Sequence, residues 1–462
     1  MLTYMLEKRG AMPLYESLYR CIKADIMEGK LRAGDKLPSK RKLAEHLNIS
    51  VITVENAYSQ LLLEGYIYSK EKSGYFVSSV ENKKVVAADS KYTRENGQDV
   101  QKALRLDLRI NAVNQESFPF SIWSKLMRQV LSEQDAELLR PSSYNGADKL
   151  RASIANHLYS FRGISVDPEQ IIIGSGTEYL YNLIIQLLGR RNTFGVENPG
   201  YKKIARIYRA NEVKFDHIDM DAYGLSVSNL RESRVNVVHI SPSHHFPTGI
   251  VMPIGRRQEL LKWAGESPGR YIIEDDYDSE FRFSGKPVQT LQSIDQEERV
   301  IYVNTFTKSL APSIRISYMV LPEHLVKRYK QELSFYTCTV PSFEQYTLAR
   351  FIAQGYFEKH INRMRSFYKK QRESVIKIIE QSPINKSIEI LEDNAGLHFL
   401  IKLKTHRKDE EIIKVAAEKG IGISCLSEYL YERDASYDNI FIVNYASIDL
   451  KVLADLLAEL HI

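Results

Sequence analysis

Cysteine is scarce in this chain. The 462 residues contain three, Cys21, Cys338 and Cys425, far apart and with no CxxC or Cys/His cluster. That spacing argues against a disulfide framework and a zinc site, and it fits a reducing compartment. His244-His245 is the only suggestive pair, and no third ligand is spaced to join it, so a loop or supporting role is expected and no metal. Long apolar runs are missing too. No uninterrupted segment is long enough to span a bilayer, and the opening MLTYMLEKRG is broken by Glu7, Lys8 and Arg9, which is not a secretory signal. The expected location is therefore the cytoplasm, with no membrane partner. A strong charge of one sign is also lacking: the formal net charge of +5 permits an anionic partner without demanding one. There is no internal repeat and no low-complexity tract.

Two or three domains are expected, because 462 residues exceed one ordinary core. With 44% hydrophobic and 26% charged residues the composition is that of a globular chain. Periodicity divides it at a polar stretch, SSVENKKVVAADSKYTRENGQDVQ, poor in large apolar groups. The expected division is a unit over 12–80, a linker over 81–105 and a larger unit over 106–462.

In the first unit, Leu14, Leu18, Ile22 and Ile26 recur at helical spacing over Leu14–Met27. A loop over Gly29–Pro38 follows. Ser39 is placed to cap a helix ending at Leu47, and Ser50 to cap a third helix running to about Glu64. Tyr66–Ser69 and Tyr75–Val77 alternate like short strands around Ser73-Gly74, a hairpin signal. This order is a winged helix-turn-helix. LPSKRKLAEHLNIS (37–50), VITVENAYSQLLLEGYIYS (51–69) and KEKSGYFV (70–77) resemble the N-terminal domain of the GntR family. The resemblance implies that the third helix enters the major groove and that the wing lies on the backbone or in the minor groove.

The charge pattern is consistent with double-stranded DNA as partner. Residues 1–80 hold 12 Lys/Arg against 9 Asp/Glu, a balance of +3, concentrated at Lys40-Arg41-Lys42 and at Lys70 and Lys72. Lysines and arginines there neutralise phosphates, which supply most of the affinity, and the hydroxyls of Ser39 and Thr53 donate to phosphate oxygens. The DNA-contacting set is thus Ser39, Lys40, Arg41, Thr53, Asn56, Lys70 and Lys72. One departure stands out. The family usually carries an arginine just after the Val-Ser or Val-Thr turn, but Val51 and Ile52 stand there, and Glu55 occupies a second position that is frequently basic. Without a guanine-reading arginine, base contacts fall to Thr53, Asn56 or an apolar contact of Val51 with a thymine methyl. The bland alternative is a helix-turn-helix kept only for protein contacts.

Beyond Leu106, strand-like runs (Ile171–Ile173, Val235–Ile240, Tyr271–Ile273, Val300–Val303) alternate with helix-like stretches (Glu178–Leu188, Arg256–Ala264), which argues for a mostly parallel α/β sheet. TFTKSLAPSIRISYMV, 305–320, places Lys308 between hydroxyl residues at a strand end, with Arg315 seven positions on. Pyridoxal phosphate chemistry needs that set: an amine for the aldehyde, and hydroxyls with a forked guanidinium for the phosphate. Four further words point the same way. IIIGSGTEYL (171–180) sets Gly174-Ser175-Gly176-Thr177 between a strand and a helix, where amides and the helix N-terminus make a phosphate cradle. VENPGY (196–201) ends in Tyr201, whose ring can stack on a pyridine. SPSHHFPTG (241–249) is a bounded loop after a buried strand. YIIEDDYDSEF (271–281) ends a strand in acids, one of which can pair with a protonated pyridine nitrogen and strengthen the electron sink. The residues alone do not choose between Asp275 and Asp276. Trp123 and Trp263 are most simply packing residues.

With NAGLHF (394–399), these words resemble fold-type I aminotransferases, in particular the regulatory MocR/GabR subfamily, whose own arrangement is a GntR-like head on such a domain. The implied fold is α/β: a large, mostly parallel α/β subdomain and a smaller α+β subdomain behind the winged helix. The implied cofactor is pyridoxal 5'-phosphate (PLP), carried by Lys308 as an imine. The resemblance assigns Asp275 to the ring nitrogen by its Asp-x-Tyr spacing, Tyr277 to the phenolic oxygen, Tyr201 to the ring face, and Ser175, Gly176, Thr177, Thr305, Thr307 and Arg315 to the phosphate. It also implies a head-to-tail homodimer. Glu178 stands where the family often has glutamine, and it is expected to face away from a phosphate or be neutralised.

Relatives with aminotransferase activity carry an arginine near the C-terminus that forks onto a substrate carboxylate. The matching word FIVNYASI (441–448) has Ser447 at the expected position, and Lys203 replaces another arginine after the PGY word. Serine cannot replace a bidentate guanidinium. Losing that anchor costs about two to three decades of affinity for a carboxylate. The expected function is a transcription regulator that binds operator DNA and senses PLP or a small amine or amino acid through Lys308, with at most weak turnover of α-amino acids. The competing expectation is a PLP-dependent aminotransferase with an appended winged helix.

Overall fold

In a computed structural model, residues 2–4, 13–79, 104–109, 114, 117–133, 136–283 and 288–458 are described. The linker expected over 81–105 therefore lies outside the described residues except for its last two. The chain divides into two units, Met1–Asp99 and Val100–Ile462.

The first unit packs three helices against a hairpin. Helix α1 spans Leu14–Met27, α2 Lys40–Leu47 and α3 Val51–Leu63. Ser39 accepts from the Lys42 N–H to start α2, and Ser50 accepts from the Thr53 N–H to start α3. Each cap satisfies a donor that the first turn leaves without an intrahelical partner. Asn48, in the left-handed region at φ +52°, turns the chain between α2 and α3. Strands β1 (Ile67–Lys70) and β2 (Gly74–Val77) pair antiparallel, with Ile67 opposite Val77. Leu18, Ile22 and Ile26 of α1, Leu43 of α2, Val54, Ala57, Tyr58 and Leu61 of α3, and Ile67 and Val77 of the wing close one core.

The second unit begins with β3 (Leu106–Asp107). Its large sheet is built from β4 (Ile171–Ser175), β5 (Thr193–Asn198), β6 (Lys214–Asp221), β7 (Gly224–Leu225), β8 (Val237–Ile240), β9 (Tyr271–Asp275), β10 (Val300–Thr305) and β11 (Ile316–Val320). The spatial order is β4-β11-β10-β9-β8-β5-β6-β7. The stretch from β10 through β9, β8 and β5 to β6 is parallel, and β11 runs antiparallel between β10 and β4. Alternate residues of each strand serve opposite faces. Ile171 and Ile173 pack with Leu150, Ile154 and Leu158 of the helix Asp148–Arg162. Ile172 packs with Leu180, Leu183, Ile184 and Leu187 of the helix Thr177–Leu188. Helices thus cover both faces, the condition for a sheet of continuous apolar strands.

The smaller subdomain is α+β. Strands β12 (Ile388–Leu391), β13 (His398–Leu403), β15 (Ser424–Cys425) and β16 (Ile440–Asn444) form an antiparallel sheet of order β12-β13-β16-β15. β14 (Ile421–Gly422) pairs in parallel with β3 and ties the start of the unit to this subdomain. The long helix Tyr356–Gln381 and the helix Leu450–Ala458 pack against the sheet through Met364, Tyr368, Leu453 and Leu456. No described helix is long and apolar enough to cross a membrane.

Candidate functional site

The strands β5, β8, β9 and β10 run parallel, and the chain leaves all of them at one edge of the sheet. Ligand crevices of open α/β sheets form at that edge. A cavity of about 430 Å³ opens there, lined among others by Thr177, Tyr201, Asp275, Tyr277, Thr305, Thr307, Lys308 and Arg315. These residues come from five separate stretches of chain.

Lys308 sits in a single helical turn, Phe306–Ser309, directly after β10. Burial pushes its ammonium down to about 8, against an opposing pull from Asp278. A desolvated lysine of that kind is a nucleophile near neutral pH. Thr305 caps the turn: its Oγ1 accepts from the Thr307 N–H at 3.1 Å and from Ser317 Oγ at 2.8 Å.

The two neighbouring aspartates part at the end of β9. Asp275 faces the cavity, where its Oδ2 accepts from Tyr181 Oη at 2.6 Å while its buried Oδ1 has no hydrogen-bond partner. Asp276 points the other way. It accepts from Arg162 Nη2 at 2.7 Å and Tyr302 Oη at 2.6 Å, both buried, and from the half-buried Ser279 Oγ at 2.8 Å. Each aspartate keeps a buried Oδ1 without a hydrogen-bond partner, but of the two only Asp275 lines the cavity. Tyr181 was not singled out from sequence, although it stands one helical turn after Thr177 and so on the same side of that helix. Burial, then the charge of Asp275, pushes its phenol well up, so it stays a neutral donor to the carboxylate. His239 Nε2 stands 3.7 Å behind Asp275. Tyr277 lies 3.4 Å from His244 Nδ1, which in turn meets Asp278 at 2.9 Å. His244-His245 therefore acts in supporting hydrogen bonds: His245 Nδ1 pairs with Thr248 Oγ1 at 2.7 Å.

The turn before the helix Thr177–Leu188 differs from the expected amide cradle. The Ser175 N–H donates to Thr339 Oγ1 at 3.0 Å and the Gly176 N–H to the Gly174 carbonyl at 3.0 Å, so both amides are engaged within the fold. Thr177 is the residue of this turn that lines the cavity, and Ser175 does not. Gly176, at φ +90°, has a different purpose. A Cβ there would lie 2.3 Å from Arg315 Nη2, so glycine admits the guanidinium. Arg315 itself adopts φ +54°, a conformation a non-glycine residue holds only when its surroundings fix it.

Glu178 does not face away. It lines the cavity and pairs with Arg315 Nη2 at 2.8 Å and with Lys203 Nζ. Burial alone would raise its carboxyl; hydrogen bonds from Lys203, its own backbone N–H and Arg315 reverse this and hold it at about 2. Tyr201 is 48% exposed, with its ring edge-on to Phe246 at 5.8 Å. Ser447 is exposed and lies outside the cavity. It stands beyond the end of β16, which closes at Asn444. The cations that do line the cavity are Arg109, Lys203, Lys308 and Arg315, and Arg109 is held by Asp107 through Nε at 2.8 Å and Nη2 at 2.7 Å.

In the first unit, Arg41, Lys42, Lys70 and Lys72 are exposed, as are Val51, Ile52 and Asn56 at the start of α3. Lys40 is drawn inward: it pairs with Glu55 at 2.6 Å and lies over the Tyr75 ring. Ser39 caps α2, and Thr53 Oγ1 sits 2.8 Å from Ser50 Oγ. Lys70 lies over Phe76 at 5.2 Å.

Two family models match. Residues 14–77 match the bacterial regulatory proteins of the gntR family, and residues 106–460 match aminotransferase class I and II. The chain is 40% identical to the uncharacterized HTH-type transcriptional regulator YdeL of Bacillus subtilis over 91% of each chain. It is 30% identical to the probable rhizopine catabolism regulatory protein MocR of Rhizobium meliloti, over 98% of this chain and 94% of that one. Among solved structures, the Pyrococcus horikoshii kynurenine aminotransferase crystallised with PMP superposes with a TM-score of 0.68 at 26% identity, covering 77% of this chain and 89% of that one.

Proposed function

Given that the chain belongs to the HTH-type transcriptional regulators in which a gntR-family head precedes an aminotransferase class I and II domain, we propose that its cavity takes PLP and that occupancy there sets the affinity of the head for operator DNA. The observation that carries this reading is the pairing, in one cavity, of a lysine whose ammonium is pushed down to about 8 with a buried carboxylate oxygen that has no partner. That donor set fits the cofactor. When bound, the group supplies an aldehyde with which an amine condenses and a ring that withdraws electrons.

The chain's own residues do the rest. Lys308 offers a neutral amine once its proton is gone, and burial makes that proton easy to lose. Asp275 Oδ1 accepts a proton-bearing ring nitrogen, and Tyr181 keeps the carboxylate oriented. Tyr277 donates to a phenolic oxygen, and Tyr201, on the open side, covers a ring face. Arg315, Thr177, Thr305 and Thr307 hold the phosphate, while Ser175 and Gly176 shape the turn that lets Arg315 in. In the head, Ser39, Lys40, Arg41, Lys70 and Lys72 meet phosphates, and Thr53 and Asn56 meet base edges. The domain division over 12–80, 81–105 and 106–462, a head-to-tail homodimer and a cytoplasmic location complete the reading. A bound ligand shifts DNA affinity only by its different affinity for two arrangements of the chain.

The test is a titration of the gene's own upstream DNA with and without PLP, for the wild type and Lys308→Ala. The expected outcome is a PLP-dependent change in DNA affinity of at least severalfold in the wild type, with none in the variant. The variant should also fail to take on the colour of the cofactor. Equal DNA affinity under all four conditions would sink the sensing mechanism. Steady keto-acid production with a common amino donor would favour the aminotransferase alternative.

A further inference from the structure

Arg315, the guanidinium placed for a phosphate, is already engaged by a carboxylate of the same cavity. Glu178 reaches it from the first turn of the helix Thr177–Leu188, and its other oxygen meets Lys203. Arg315 and Glu178 meet over Gly176: a Cβ at that residue would sit 2.3 Å from Arg315 Nη2 and 2.8 Å from Glu178 Oε2. Thr177, Thr305 and Thr307 line the same cavity. The seat therefore has two cations, hydroxyls and one anion that belongs to the protein.

We propose that Glu178 is an internal competitor for the phosphate seat, so that a phosphate-bearing ligand binds by taking Arg315 from Glu178, and the ligand is thereby kept exchangeable. The inference rests on the reading that this cavity takes PLP. The electrostatic argument is direct. A phosphate monoester carries close to two negative charges at neutral pH. A carboxylate within a few ångströms disfavours it, and one that also holds its arginine must be displaced first. While Arg315 and Lys203 both donate to it, Glu178 is held ionised, at about 2, against the burial that would raise it.

Lys203 has the complementary part. As the second cation on Glu178, it retains the carboxylate once Arg315 has turned to the ligand. Removing Glu178's charge and removing Lys203 must then act in opposite directions. The arrangement suits a sensor. A site that grips its ligand at every concentration is always full and reports nothing, whereas a weakened grip places half-occupancy within the range over which the ligand varies.

The experiment uses full-length wild type, Glu178→Gln and Lys203→Met, each titrated with PLP and with pyridoxal, which has the same ring and aldehyde but no phosphate. Binding is followed by absorbance. Glutamine keeps the shape and an acceptor for Arg315 while removing the charge. The expected result is PLP affinity roughly tenfold tighter in Glu178→Gln and roughly threefold weaker in Lys203→Met, the scale of one part-buried charge pair. Pyridoxal affinity should stay within about twofold in all three proteins, because only the phosphate meets the competitor. Inorganic phosphate should compete with PLP more effectively in Glu178→Gln than in the wild type. Equal PLP affinity in wild type and Glu178→Gln, or a shift of the same size for pyridoxal, overturns the inference and leaves the cavity reading intact. Absence of PLP binding in all three proteins overturns both.

Discussion

In the head, the residues expected to meet DNA lie between Ser39 and Lys72 on one short stretch of chain, most of them exposed, whereas in the second unit the cavity draws on residues from Arg109 to Tyr429 that meet only when the sheet has formed. The two surfaces suit different partners. Phosphates of a duplex accept solvated cations with little precision, and salt screens them. A cavity for a small ligand works through burial: it lowers the Lys308 ammonium, raises the Tyr181 phenol and leaves one buried Asp275 oxygen without a hydrogen-bond partner. The same ion pair consequently means different things in the two places. Lys40 with Glu55 is a half-exposed surface pair worth little. Arg162 with Asp276, exposed by only 3% and 0%, is a pair whose halves depend on one another.

That contrast can be broken most sharply at Arg162. Arg162→Met leaves Asp276 buried without its guanidinium, and the expected loss is about 3–5 kcal/mol of stability. Both tryptophans, Trp123 and Trp263, lie in the second unit, so urea unfolding followed by tryptophan fluorescence reads this loss without a signal from the head. A change below about 1 kcal/mol would place the pair with the surface bridges.

The next effect is kinetic. Burial disfavours the charged form of Lys308, so the neutral amine gains population as pH rises and predominates above about 8. The rate at which PLP couples should climb about tenfold per pH unit below that point and level off above it. Stopped-flow absorbance measures it. Asp278→Asn removes a charge that raises the ammonium, so its plateau should begin at lower pH. A climb continuing to the ordinary lysine range would show that the side chain is solvated.

The smallest effect belongs to the head. Val51 and Ile52 are 43% and 68% exposed at the start of α3. Replacing thymine by deoxyuridine at contacted operator positions should weaken binding by about 0.5–1 kcal/mol per methyl, and the penalty should shrink in Val51→Ala. A fluorescence anisotropy titration that detects no penalty at any position would remove apolar base reading from the head.

Much of the architecture was legible because it depends on neighbours in sequence. Ser39 and Ser50 precede apolar periodic runs, and both cap their helices. The strand ends carrying Asp275, Thr305 and Lys308 follow continuous apolar runs, which a doubly covered sheet demands. The positions that sequence left undecided or misjudged depend on direction. Adjacent strand residues point to opposite sides, so one peptide unit separates Asp275 in the cavity from Asp276 on Arg162. Ser447 stands one stretch past β16 and points to solvent. The amides of Ser175 and Gly176 are engaged by Thr339 and Gly174, the first of these 164 residues along the chain from its partner.

From the amino-acid order alone came the winged helix, the α/β class of the larger unit and the family, since helical and strand periods, caps and short words at strand ends are local properties. Only the tertiary structure decided that Tyr181 orients Asp275, that Glu178 occupies Arg315 and Lys203, and that Ser447 lies outside the cavity. Each of those depends on how strands and helices far apart in the chain are brought together, and burial and pairing, which set the charge and hydrogen bonding of a side chain, exist only after that assembly.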